Sequence, residues 1–123
     1  MYPHDVSKNY FEGMTTELKD AMITHCRSFV KRGLDNCGWA AEEIDHIITH
    51  QVSKSIFDVV AKNTGLDESK MIKIFELYGN TAAASIPLSI VDGINKNKIK
   101  RGDKIIIIGL AAGLSVSVQK LIW

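Results

Sequence analysis

Apolar side chains recur at steps of three and four through Leu18, Met22, Cys26, Phe29, Val30 and Leu34. That period predicts an amphipathic helix from about Thr15 to Asp35, with one packed and one wet face. "DNCGW" (35–39) ends it with Asn and Gly, and "EIDHIIT" (43–49) follows as a short Ile-rich run bounded by charge, the pattern of a strand. Helical spacing returns over "SKSIFDVVAKNT" (53–64) through Ile56, Val59 and Val60, with Ser53 as N-cap and Gly65 as stop. "MIKIFE" (71–76) reads as the next strand. A third helix is expected from near Asn80 to about Asn95, and Pro87 inside it predicts a kink or a late start, because proline removes a backbone donor. "KIIIIG" (104–109) is a continuous apolar run of the kind buried on both faces, and "SVSVQKLI" (115–122), which begins by alternating, reads as its hairpin partner.

Helix, strand, helix, strand, helix, strand, strand describes an α/β fold with a largely parallel sheet, since strands separated by helices need right-handed crossovers. Residues 1–13, "MYPHDVSKNYFEG", are polar and irregular and read as a lead-in to one domain over 14–123. A chain of 123 residues, 46% of them hydrophobic, is long enough for one modest core. Its 15 basic and 14 acidic residues leave a net charge of +1, so no global field points to nucleic acid or to an anionic membrane. The longest apolar run, "IIIIGLAAGL" (105–114), is shorter than the roughly 20 residues that span a bilayer. The N-terminus has no secretory pattern, which sets a cytoplasmic expectation. Cys26 and Cys37 lack metal-type spacing and read as reduced, structural thiols.

In sheets of this kind, ligand sites collect where parallel strands end and the chain turns into a helix. "THQ" (49–51) follows the first strand and "YGNT" (78–81) the second, so His50 and Asn80 leave the same sheet edge. An imidazole and an amide converging there can donate two hydrogen bonds to one carbonyl oxygen and stabilise negative charge that develops on it. A neutral amide remains a donor at every working pH, whereas a carboxylate would repel that charge. On spacing alone the plain alternative stands beside this one: Asn80 as a helix cap and His50 as a packed or surface residue. "GLAAGLS" (109–115) lacks the glycine spacing of nucleotide-binding loops and is otherwise a hairpin turn. His46 and His50 share a side of one strand but sit roughly 13 Å apart, too far for one zinc ion. No metal site and no cofactor are expected. The lysine clusters (Lys54, Lys62, Lys70, Lys73 and "NKNKIKRGDK", 95–104) read as solvated faces, with docking of an acidic partner as the functional alternative.

"IDHIITHQ", "YGNTAAASIPLSI" and "IKRGDKIIIIGLAAGLS" closely resemble, in order and spacing, the C-terminal half of ketoacyl synthase III, within the thiolase-like superfamily. The resemblance covers roughly residues 11–123. It implies the C-terminal half of the thiolase-like fold: a mixed, mostly parallel sheet with a C-terminal hairpin, without the strand that opens the half and without the N-terminal partner half. The implied reaction is a decarboxylating Claisen condensation. An acyl group passes from acyl-CoA to a cysteine, and malonyl on acyl carrier protein loses carbon dioxide and attacks it.

By the matching motifs, His50 and Asn80 hold the malonyl thioester carbonyl, and the backbone N–H of Ala112 in "LAAGLS" serves a second oxyanion site. Neither Cys26 nor Cys37 matches the family's nucleophile, which lies in the N-terminal half, so the chain alone is expected to be inactive. After "HQ", positions where housekeeping relatives carry Asn and Arg hold Ser53 and Ser55, with Lys54 between them. Gln51, Lys54 and Ser55 are therefore the candidate carrier-docking residues. "HQVSK" (50–54) also resembles the relatives that join two acyl chains head to head from CoA substrates. A specialised lipid-forming relative and a non-catalytic docking module are the alternatives. The resemblance further implies a homodimeric parent, and "TAAASIPLSI" (81–90) is expected to meet the N-terminal half through an apolar surface.

Overall fold

The computed structural model describes residues 15–111 and 114–123; the expected lead-in over 1–13 and the expected backbone donor at Ala112 lie outside them. Helix α1 spans Thr15–Cys37 and is followed by a 3-10 turn at Ala41–Glu43 and strand β1, His46–Thr49. Next come α2, Lys54–Thr64, a 3-10 turn at Glu68–Lys70 and the single helical turn α3, Phe75–Tyr78. A 3-10 turn at Ala82–Ala84 leads directly into α4, Ser85–Asn95, and the chain closes with β2, Lys104–Ala111, and β3, Ser115–Ile122.

The sheet has three strands in the order β1-β2-β3, β1 parallel to β2 and β2 antiparallel to β3. His46 pairs with Ile105 and Thr49 with Ile108, while Lys104 lies opposite Ile122 and Ala111 opposite Ser115. The side-chain period of two divides the isoleucines between two cores. Ile106, Ile108 and Leu110 join Ile47 beneath α1 and α2, with Met22, Cys26, Val30, Phe57 and Val60. Ile105, on the opposite face, joins Ile48, Ile72, Ile74 and Ile99 beneath α4. β2 is thus buried on both sides, and each fully buried Ile contributes about 1.5–3 kcal/mol of transfer free energy. α1 lies close over the hairpin: a Cβ at Gly33 would stand 2.5 Å from Val118 Cβ, so only glycine fits there without displacement.

Local signals account for α2. Ser53 Oγ accepts from Ile56 N at 3.4 Å, and Gly65 takes the left-handed conformation (φ 70°) that ends the helix. Pro87 produces the late start rather than a kink. It is the third residue of α4, within the first turn, where a backbone N–H would have no partner inside the helix.

The expected strand at 71–76 is a correction. Only Met71 bridges Ile47, with Ile72 N donating to Ile47 O at 3.0 Å, and from Phe75 the chain turns helical. The buried carboxamide of Gln51 takes the backbone groups that a continuing ladder would use: Nε2 donates to Ile72 O (2.7 Å), and Oε1 accepts from Ile74 N (2.9 Å) and Phe75 N (3.2 Å). Among the described residues, no helix is long and apolar enough to cross a membrane.

Candidate active site

His50 follows the last residue of β1, and its N–H donates to Ile108 O at 2.9 Å, extending the parallel ladder by one bond before the chain leaves the sheet. That bond fixes where the half-buried imidazole leaves the sheet. Its Nδ1 lies 2.8 Å from Ser85 Oγ, at the first residue of α4.

Asn80 reaches the same place from the other side. Its Oδ1 accepts from Ala82 N at 2.9 Å, a turn closed by the side chain two residues before, and among the described residues its Nδ2 makes no hydrogen bond. The backbone around it is costly. Gly79 adopts φ 64° and ψ −151°, and Ala82 has φ 47°. A non-glycine residue held in that region costs of order 1–3 kcal/mol and persists only where its surroundings impose it.

His50 and Asn80 line one open cavity of about 460 Å³, with Ala82, Ala83 and Ile86 on one wall and Gly109, Leu110 and Ala111, the end of β2, on the other. Ala111 is the last described residue before the position expected to supply a backbone donor. The small walls leave room beside an imidazole and an amide, and the amide nitrogen is a donor of the kind a carbonyl oxygen accepts from. A larger hollow of about 610 Å³ lies between the end of α1 and residues 65–70, around Trp39, Ile44 and Leu66. Its polar groups are committed elsewhere: Lys70 Nζ donates to Ala41 O (3.0 Å), and the Asp67 carboxylate accepts from Ser69 N and Oγ. The smaller cavity is therefore the candidate site, since it holds the Asn80 amide donor that no described residue uses.

The described buried polar side chains are Thr49, Gln51, Ser85 and Ser89, and Ser85 touches the imidazole of His50. Gln51 is fully buried, and its amide is spent on Ile72, Ile74, Phe75 and Ser89 Oγ (3.2 Å). It presents no surface to a carrier protein; its place in the expected docking face is corrected by its burial, and it acts as a brace under the site. The sequence marks Ser85 and Ser89 only as two serines four apart on the buried stripe of α4. The hydroxyls of Thr49 and Thr81, next in sequence to His50 and Asn80, are buried with no partner among the described residues.

Lys54 is exposed and donates to Asp58 Oδ2 at 2.8 Å, which raises the lysine's pKa and lowers that of the carboxyl. Ser55 is also exposed, with its Oγ 3.0 Å from Ser53 Oγ. His46 is held at the far end of β1 by Asp103 Oδ2 (3.1 Å). Both cysteines are buried in the α1/α2 core, and burial pushes the Cys26 thiol up, away from the thiolate a nucleophile needs.

Helices on both faces of a mixed sheet, with a small cavity at the carboxyl end of β1, define a thiolase-like α/β domain. Residues 34–123 match the C-terminal family of 3-oxoacyl-[acyl-carrier-protein] synthase III, and the chain belongs to that family. It is similar to the beta-ketoacyl-[acyl-carrier-protein] synthase III of Clostridium perfringens, 34% identical over 111 residues that make up 90% of this chain and 34% of that one. It is also similar to the acyl-CoA:acyl-CoA alkyltransferase of Xanthomonas campestris pv. campestris, 35% identical over 86 residues, 70% of this chain and 25% of that one. Among solved structures, FabH of Pseudomonas aeruginosa superposes with a TM-score of 0.82 at 30% identity, over 94% of this chain and 36% of that chain. Cerulenin-bound OleA of Xanthomonas campestris gives 0.79 at 30% identity, over 89% and 33%. The chain spans about a quarter to a third of the length of these curated relatives.

Proposed function

We propose that this chain is the C-terminal catalytic part of a 3-oxoacyl-[acyl-carrier-protein] synthase III-like condensing enzyme of fatty acid biosynthesis, in which His50 and Asn80 stabilise an enolate. The observation that carries this reading is the shared cavity with a spare amide donor, because Asn80 uses its Oδ1 on Ala82 N and keeps Nδ2 for a substrate. In the proposed step, Nε2–H of His50 and Nδ2–H of Asn80 donate to the thioester carbonyl of a malonyl group on acyl carrier protein. The bond from the α-carbon to the carboxylate breaks, carbon dioxide leaves, and the electron pair moves onto the carbonyl oxygen. Two donors fixed beforehand stabilise that charge without reorganising. The enolate carbon then attacks an acyl thioester carried by a cysteine of the N-terminal half, whose thiolate departs as the new carbon–carbon bond is made. Ala112 N–H belongs to the second oxyanion site in this reading, where the side chain is immaterial because the backbone donates. Lys54 and Ser55, both exposed at the start of α2, are the proposed docking residues for the carrier protein.

Similarity to an acyl-CoA:acyl-CoA alkyltransferase supports a second reading, in which both acyl groups arrive on coenzyme A. The same assay tests both. The chain is combined with a matching N-terminal half, or studied within its full-length parent, and given acyl-CoA primers with either malonyl carrier protein or a second acyl-CoA. Condensed product with the malonyl donor, lost in Asn80→Ala, supports the first reading; product only from two acyl-CoAs supports the second. No condensation from an intact fold would overturn both and leave a docking module.

A further inference from the structure

The hydrogen bonds below His50 run in one direction, and that direction can be followed from groups whose donor character is unambiguous. Gln51 Oε1 accepts from Ile74 N and Phe75 N while Nε2 donates to Ile72 O, so the backbone fixes which end of the amide is nitrogen. Nε2 therefore donates to Ser89 Oγ (3.2 Å), and the Ser89 hydroxyl in turn donates to the Ser85 carbonyl (2.7 Å). Independently, Gln51 N–H donates to Ser85 Oγ (3.5 Å). Ser85 is 0% exposed, so water does not take its proton, and among the described residues its hydroxyl has one acceptor within reach, His50 Nδ1 at 2.8 Å.

We propose that Ser85 is a positioning residue that donates to His50 Nδ1 and so holds the neutral imidazole with its proton on Nε2, as a hydrogen-bond donor to the cavity rather than a general base. This rests on the proposed role of His50 for its functional meaning, although the tautomer itself does not. A ring nitrogen that accepts a hydrogen bond keeps its lone pair, and in a neutral imidazole the other nitrogen then carries the hydrogen. A carboxylate in place of Ser85 would have the opposite effect: it would accept from Nδ1–H and leave Nε2 a base. The serine thus selects electrophilic assistance to a carbonyl over proton abstraction.

The test is a long-range ¹H–¹⁵N correlation spectrum of the histidine rings in the 123-residue chain, recorded near pH 8, above the ordinary imidazole range. The wild type is expected to show His50 with Nδ1 unprotonated and Nε2 protonated. Ser85→Ala should shift the Nδ1 resonance as its hydrogen bond is lost, Ser85→Thr should restore it, and Ser89→Ala, an equally buried serine one turn along, should leave it in place. A proton on Nδ1 in the wild type, or an Nδ1 resonance unmoved by Ser85→Ala, would overturn the proposal. In the reassembled enzyme Ser85→Ala should slow condensation by about 10- to 100-fold, the size of loss seen when the hydrogen-bond partner that orients a metal-bound histidine is removed, with recovery in Ser85→Thr. A chain that shows the expected tautomer but no condensation with any primer would refute the proposed function while leaving the Ser85 assignment standing.

Discussion

A histidine stands at each end of β1, His46 as its first residue and His50 just past its last, and the two are partnered in opposite chemical senses. His46 Nε2 meets the carboxylate of Asp103, which also accepts from Lys100 N at 2.8 Å, so this ring donates to a fixed acceptor. His50 Nδ1 meets a serine hydroxyl and leaves its other nitrogen beside a cavity. Around His46 the polar groups saturate one another: Lys104 N donates to Asp45, Lys104 Nζ to Glu43, and Asp45 N to Lys104 O. Around Asn80 and His50, backbone strain accumulates instead, with hydroxyls that have no partner among the described residues. One end of the strand is finished as structure and the other is left with unspent donors. Residue type does not distinguish them; the partner does.

Breaking the comparison at its reactive end gives the largest expected effect. Asn80→Ala, which removes one of two proposed enolate donors, should lower the condensation rate by about 10²–10³, equivalent to about 3–4 kcal/mol of transition-state stabilisation. A loss below tenfold would remove Asn80 from the reaction. Gln51→Leu comes next, since it strips partners from Ile72 O, Ile74 N and Phe75 N in the interior. It should cost about 3 kcal/mol in a denaturant melt, each orphaned buried group costing about 1–3 kcal/mol. His46→Asn should cost only about 1 kcal/mol, the value of an ordinary hydrogen bond, with the condensation rate unchanged. A rate loss there would mean that the two ends are coupled. The smallest effect concerns Glu43, whose carboxyl is held below the ordinary range chiefly by the hydrogen bond from Lys104 and further by one from Ala40 N. A depressed carboxyl stabilises the fold above its unfolded value of about 4.3, and the contribution fades as pH falls through the folded value. The melting temperatures of wild type and Lys104→Gln should therefore differ slightly near neutrality and converge in acid.

How much of this is legible in the chain depends on how local each cause is. α2 is readable to the residue because Ser53 and Gly65 act on their immediate neighbours, and the β2–β3 hairpin because its pattern and its pairing coincide. The segment 71–76 is not, since a glutamine 21 to 24 positions away competes for its backbone and no pattern within "MIKIFE" records that. The site divides in the same way. Adjacency to a strand end draws attention to His50, while the strand expected to lead to Asn80 is not formed; the Asn80 amide serves the local turn and, among the described residues, keeps a donor unused, as its dual donor and acceptor chemistry allows. Ser85 and Ser89 matter through groups 34 to 38 residues distant, which places them beyond any local reading. A helical-stripe analysis flags them only as polar residues where apolar ones are expected.

The two-sided burial of β2 bears on how the chain reaches this state. "IIIIGLA" has every property of a segment that pairs with copies of itself: β-branched, uncharged and free of proline. In the folded domain both of its edges are taken, by β1 on one side and β3 on the other, and Lys104 stands at its head as the nearest charge. During synthesis or refolding those edges stay open until a strand some sixty residues earlier arrives in parallel register, a slow pairing of large sequence separation. The same isoleucines that join the two cores therefore expose an aggregation-prone edge while unpaired, and the hairpin with β3, which closes locally, is its first protection.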